Sequence, residues 1–169
     1  MSTGMIIGIV VGVIILIIIL SGYVKASPDE AIIISGLKRE AKIVIGKAAI
    51  KIPFLERKDR LPLNIIKIDV KTQEAVPTQE FINVNVDAVV TVKVSSKKEL
   101  LKIAAENFLN KNTDYIENMV KEVLEGNIRE IIGTMTLENM ISNRKEFAIR
   151  VEENAVPDME KMGIEIVSF

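Results

Sequence analysis

The chain predicts an α+β fold behind a single N-terminal membrane span, and three observations carry that expectation. Residues 6–20 are almost wholly aliphatic, residues 30–94 hold short segments of strand period, and residues 96–157 change to a helical period. Strands first and helices afterwards argue against the alternating order of a βαβ nucleotide-binding sheet.

No charge occurs from Gly4 to Tyr23, and these 20 residues, rising about 1.5 Å each, make a helix as long as a hydrocarbon core is thick. From Ile6 to Leu20, thirteen residues are Ile, Val or Leu and the other two are Gly. At roughly −0.3 to −0.6 kcal/mol per aliphatic residue, insertion gains about 4–8 kcal/mol. A secretory signal would need a basic start and a small-residue cleavage site; no Lys or Arg precedes Lys25, and only Val24–Ala26 offers a weak cleavage pattern. The expectation is therefore an uncleaved transmembrane helix over residues 4–24. Lys25, Lys38, Arg39 and Lys42 all follow it and none precede it, which places the N-terminus outside and the rest of the chain in the cytoplasm of a single-pass cell-membrane protein. Gly4, Gly8 and Gly12 form a small-xxx-small face on which neighbouring helices can approach closely.

Behind the span lie roughly 145 residues, enough for one domain or two small lobes. The segment 80–94 alternates strictly, with Ile82, Val84, Val86, Ala88, Val90, Val92 and Val94 on one face, and reads as a single half-buried strand. Shorter strands are expected at 30–36, 42–46, 48–52 and 64–70, separated by Gly46-Lys47, by the loop 53–62 and by the polar run around Pro77. Together they suggest a meander with one covered face. Ser96 with Glu99 has capping-box spacing and opens a first helix. A second, near 113–134, repeats Ile116, Val120, Val123, Leu124, Ile128, Ile131 and Met135, and a third runs from Thr136 until Pro157 breaks or kinks it. Gly163 ends the helical region, and "IEIVSF" is a last short strand. The expected lobes are a β-rich one over 27–95 and an α/β one over 96–169.

Composition removes most chemistry. There is no His, Cys or Trp, so catalytic triads, Cys-His dyads and nearly all transition-metal sites are excluded, and no Gly-rich phosphate loop occurs. A net charge of −1 and 4% aromatic residues argue against nucleic acid. Ser95, Ser96 and Lys97 read as a helix cap before they read as a Ser-Lys dyad, and Glu152-Glu153 and Asp114-Glu117 read as solvated helix positions. No catalytic, cofactor or metal residue is expected. In "IPFLERKDRLPL" (52–63), however, apolar Pro53, Phe54, Leu55, Leu61 and Leu63 are interleaved with Arg57, Lys58 and Arg60. Such a loop suits a headgroup zone, with Phe54 and Leu55 in the acyl boundary and Arg57, Lys58 and Arg60 on anionic phosphates; the competing reading is an inter-strand loop folded inward.

The segments "DEAIIISG" (29–36), "LNIIKIDVKTQEAVPTQEFINVNVDAVVTVKV" (63–94), "NFLNK" (107–111), "LEGNIREIIGTMTLENMISNRKEF" (124–147) and "MGIEIVSF" (162–169), in this order behind a span, resemble the SPFH (band 7, prohibitin-homology) superfamily, and within it the flotillins, bacterial forms above all. The resemblance covers residues from about 27 onward and is most specific over Leu124–Phe147. It implies an SPFH domain in a non-enzymatic membrane scaffold that self-assembles into rings or cages and organises membrane microdomains, with no cofactor. Implied partners are membrane lipids, further copies of the chain, and an NfeD-like membrane protein or a membrane protease. The same fold also serves stomatin-like regulators of small oligomeric state, which is the alternative reading. The resemblance makes Gly126 and Gly163 structural positions, offers Arg129 and Arg144 as ion-pair or subunit-contact residues, with a solvated helix face as the competing reading, and implies a coiled coil beyond Phe169.

Overall fold

The computed structural model describes residues 4, 8, 10–13, 17, 21–36 and 41–169, and these form two compact units, residues 1–62 and 63–169. Much of the expected span 4–24 lies outside the described residues. Its described positions from Gly4 to Ser21 are helical and exposed, with Val10, Val11, Val13 and Ile17 open to the surroundings. Among the described residues, no helix is long and apolar enough to cross a membrane.

Among its described residues the first unit holds five strands: β1 (Tyr23–Lys25), β2 (Glu30–Ser35), β3 (Lys42–Ile45), β4 (Ala48–Ile50) and β5 (Arg57–Pro62). β1 pairs antiparallel with β4, and β2 lies between β3 and β5 in a three-stranded antiparallel sheet. The unbroken apolar run Ala31–Ile34 is buried at every position, as expected of a central strand covered on both sides. Val24, Ala26, Ile32, Ile34, Val44 and Ala49 form one core cluster. Gly46, at φ 60°, makes the turn between β3 and β4. The loop expected over 53–62 is corrected by β5, whose Arg57–Pro62 pair with Glu30–Ser35. Its Leu61 is fully buried, so that part of the segment folds inward.

The second unit contains β6 (Ile66–Lys71), β7 (Val76–Pro77), β8 (Asn83–Val84), β9 (Asp87–Val94), α1 (Lys98–Phe108), α2 (Thr113–Thr134), α3 (Leu137–Ser142), α4 (Arg144–Met162) and β10 (Ile164–Ser168). Its main sheet has the order β10-β9-β6, antiparallel throughout, while β7 and β8 form a separate two-stranded ribbon. The expected meander is thus four small sheets, and the continuous strand over 80–94 is broken between Val84 and Asp87. Thr72 explains the break: its Oγ1 accepts from Val86 N (3.0 Å) while its own N–H donates to Val86 O (3.1 Å). The division between units falls at Pro62 and Leu63, ahead of the expected lobe boundary at 95/96. Its cause is that β6 and β9 pair with each other, β9 pairs with β10, and α2 packs on β6.

The core of this unit is built by periodicity. Ile116, Val120, Leu124, Ile128 and Ile132 recur every fourth residue along α2 and are all fully buried; α2 packs on β6, whose Ile68 and Val70 are fully buried, and on α4, whose Val151 and Ala155 are fully buried. α2 is capped by the Asn112 side-chain Oδ1, which accepts from Tyr115 N (3.0 Å), and α3 by Thr136 Oγ1, which accepts from Asn139 N (3.3 Å). The Ser96–Glu99 capping box does not form. α1 begins at Lys98 with Lys97 at its N-cap and no side-chain cap; the buried Ser95 hydroxyl accepts from Lys97 N instead. The third predicted helix is two helices parted at Asn143, and Pro157 sits inside α4 without ending it. Pro157 is exposed, so the carbonyl it leaves unbonded is open to water, while Val151, Ala155 and Met159 carry the buried stripe past it. Gly163 closes α4 at φ 77°, as expected, and β10 follows.

Candidate functional site

The apolar surface of the first unit gathers at one end. Tyr23 on β1 lies directly opposite Ile50 on β4, and both are exposed, whereas their neighbours Val24 and Ala49 point inward. Beyond Ile50 the chain forms a tight tip. Leu55 and Glu56 N–H groups both donate to Ile52 O (3.3 and 3.0 Å), and the Glu56 carboxylate accepts from Ile52 N (2.8 Å). The closed loop holds Phe54 in the left-handed region at φ 67° with its side chain wholly exposed, and Ile52 and Leu55 are also exposed. Gly36 supports the tip from beneath, because a Cβ there would collide with Leu55 O. Lys51 N donates to Gly22 O (2.9 Å), which stitches the tip to the place where the aliphatic N-terminal segment gives way to β1.

Of the five residues expected at a membrane interface, Phe54 and Leu55 are therefore brought together at this tip. Arg57 and Arg60 stand on β5 with their side chains largely exposed. Arg57 Nε donates to the buried Asp59 carboxylate (2.8 Å), and an Arg60 nitrogen lies 3.6 Å from Glu30. Lys58 is half-buried. Tyr23, Ile50 and Ile52 extend the apolar surface and were missed as site residues; the alternation Ile50-Lys51-Ile52 marks a strand but does not say which face is covered.

Gly4, Gly8 and Gly12 fall on helical positions with nothing within 4 Å of a Cβ, and among the described residues no packing partner meets them. Arg129 has a local role: its guanidinium donates to Glu125 (2.7 Å), and the same Glu125 oxygen accepts from Gln73 N (3.2 Å), tying α2 to the end of β6. Glu125 is 8% exposed, so Glu125→Ala should lower the unfolding free energy of this unit by about 1–3 kcal/mol in a denaturant titration. Arg144 opens α4, is exposed and makes no ion pair among the described residues; it borders a shallow cleft at the α3–α4 corner lined by Ile141, Lys145 and Ile149. Gly126 is exposed with open space around it, so packing does not require a glycine there.

Another exposed aromatic, Phe81, went unmarked in the sequence because it lies within the alternating run. It stands at φ 61°, 90% exposed, at the apex of the turn between β7 and β8. Among the described residues, two acids are shifted, both downward: Asp158, by the Lys161 ammonium first and then by the Asn127 amide, and Asp29, by the Ser27 hydroxyl first. Asp29 serves a local hydrogen bond, and Asp158 also links α4 to Asn127 on α2 (3.5 Å).

A family model described as SPFH domain / Band 7 family matches residues 24–169, which takes in both units apart from the N-terminal segment. The chain belongs to that family. Among its SPFH relatives, human Flotillin-2 is 38% identical over 145 residues, covering 84% of this chain and 34% of that protein. The Flotillin-like protein FloT of Bacillus subtilis (strain 168) is 36% identical over 162 residues, 89% of this chain and 32% of its own. Human Flotillin-1 is 31% identical over 149 residues, 87% and 35%. This SPFH chain thus spans about a third of the length of these relatives. The α+β domain, with its antiparallel sheets and four helices among the described residues, is the flotillin-type SPFH domain that the resemblance implied.

Proposed function

We propose that this chain is the membrane-seated part of a flotillin-type scaffold, acting by assembly and not by catalysis. The observation that supports it best is the apolar tip of Ile52, Phe54 and Leu55, held rigid and hydrogen-bonded to the exit of the aliphatic N-terminal segment through Lys51 and Gly22. Residues 4–24 span the membrane in this reading. The tip enters the acyl boundary of the same leaflet, Tyr23 lies at headgroup level, and Lys25, Arg57, Lys58 and Arg60 face anionic phosphates on the cytoplasmic side. Copies then associate side by side, through the Gly4/Gly8/Gly12 face within the bilayer and through the SPFH units above it, and gather lipids and client membrane proteins around them.

The chain has no cysteine, so a single introduced thiol reports its own surroundings. In chains reconstituted into vesicles, Phe54→Cys should react with a water-soluble maleimide at least about tenfold more slowly than Lys102→Cys on the exposed face of α1, because burying the tip removes the thiol from water. Equal rates would remove the tip from the membrane.

A further inference from the structure

Phe81 is a phenyl group that the fold holds out into water. Five hydrogen bonds fix the turn beneath it. Phe81 N donates to Thr78 O (2.9 Å), Thr78 N to Ile82 O (2.9 Å) and Ile82 N to the buried Thr78 hydroxyl (3.3 Å). Two more clamp the turn to the α2–α3 junction: Gln79 N donates to Met135 O (3.1 Å), and Leu137 N donates to the Glu80 carboxylate (3.4 Å). A side chain so prepared loses little freedom when a partner covers it, which is the property of a binding anchor.

The same unit carries a receptor of matching chemistry. The cleft at the α3–α4 corner exposes Ile141 (60%) and Ile149 (44%); Glu146, which also lines it, is engaged by Arg150 (2.7 Å), whereas Arg144 and Lys145 on its rim, in the same turn as Glu146, make no ion pair among the described residues. Both cations occupy the first turn of α4, where the helix dipole disfavours positive charge and an incoming carboxylate would relieve it. Glu80 is adjacent to Phe81 and exposed. An acid beside the phenyl suits a basic-rimmed protein cleft and opposes an anionic bilayer.

We propose that Phe81 of one copy seats against Ile141 and Ile149 of a second copy, with the Glu80 carboxylate oxygen that Leu137 N does not hold meeting Arg144 and Lys145. Peg and cleft are different surfaces, so a copy that donates its peg still offers its cleft, and the contact passes from copy to copy. This proposal rests on the self-assembly reading above and gives it a specific interface.

The test uses the full chain in detergent. Phe81→Cys chains co-expressed with Ile149→Cys chains should give a cross-linked dimer, on treatment with a short bis-maleimide, at more than about ten times the yield of either variant alone, since the two thiols meet only across this contact. Phe81→Asp should lower the assembly mass, while Ile65→Asp, at another exposed apolar position, should not. A wild-type assembly whose mass survives Phe81→Asp, or whose co-expressed variants cross-link no better than the single ones, overturns this interface and leaves self-assembly standing. A monomeric wild-type chain overturns both.

Discussion

Gly163→Ala should cost the second unit about 2–6 kcal/mol, a large part of a typical domain's 5–15 kcal/mol, and the variant should unfold at a far lower denaturant midpoint or fail to fold. Two effects add. Gly163 holds φ 77° at the C-cap of α4, a conformation that strains any residue with a Cβ. That Cβ would also be driven into Leu100 O and into the backbone and side chain of Ala104 on α1. The site cannot relax easily, because Gly163 O accepts from Ser95 N (3.0 Å) and β10 starts at the next residue. Gly126→Ala supplies the contrast. Gly126 is an exposed interior position of α2 with nothing near, so alanine there should raise stability by about 0.5–1 kcal/mol. Opposite signs for two Gly→Ala changes, read as midpoint shifts in one denaturant titration, are the expected result; equal signs would mean that the α1–α4 contact is misjudged.

The second large effect is expected at the tip. Phe54 and Leu55 are the most prominent apolar groups there, and burying two such side chains gains about 3–6 kcal/mol at roughly 1.5–3 kcal/mol each. Replacing both with Glu removes that gain and sets two carboxylates against anionic headgroups. In reconstituted chains carrying Ile50→Cys as reporter, Phe54→Glu with Leu55→Glu should therefore speed maleimide labelling about 100-fold or more. Both side chains are exposed, so the fold should survive and the circular dichroism spectrum should be unchanged. Labelling that does not change would show that the tip is not held by lipid.

The parts of this fold that could be read from the sequence are those in which one residue type repeats at one period. The fourfold spacing of Ile116, Val120, Leu124, Ile128 and Ile132 places α2 and its buried face, and Gly163 before a short apolar run places both a helix end and β10. Where partners far along the chain decide the structure, the pattern is silent. β5 is a strand because β2 supplies its hydrogen bonds, and its inward Asp59 disguises the alternation until Arg57 is seen to pair with it. Pro157 is tolerated because its face of α4 is exposed, which no local signal reveals. Strand alternation runs straight through Phe81, yet Thr78 and the α2–α3 junction bend the chain there into a turn.

The candidate surfaces follow the same division. Phe54 and Leu55 could be picked out as apolar residues in a basic loop, but their rigidity depends on Glu56 and Gly36, and their position beside the N-terminal segment depends on Lys51 and Gly22. Arg129 looked like a surface contact and is committed to Glu125, whereas Arg144 is left unpaired among the described residues at the rim of a cleft. The sequence does separate the two by spacing: Glu125 stands four residues before Arg129, whereas Met140 and Ala148, four residues either side of Arg144, offer no such partner.

The measurement that tests the central claim most directly is the mass of the detergent-solubilised chain by analytical ultracentrifugation. A scaffold that works by assembly predicts a discrete complex of many copies that persists on dilution. A monomer at every concentration would contradict it, and with it every role assigned here to contacts between copies.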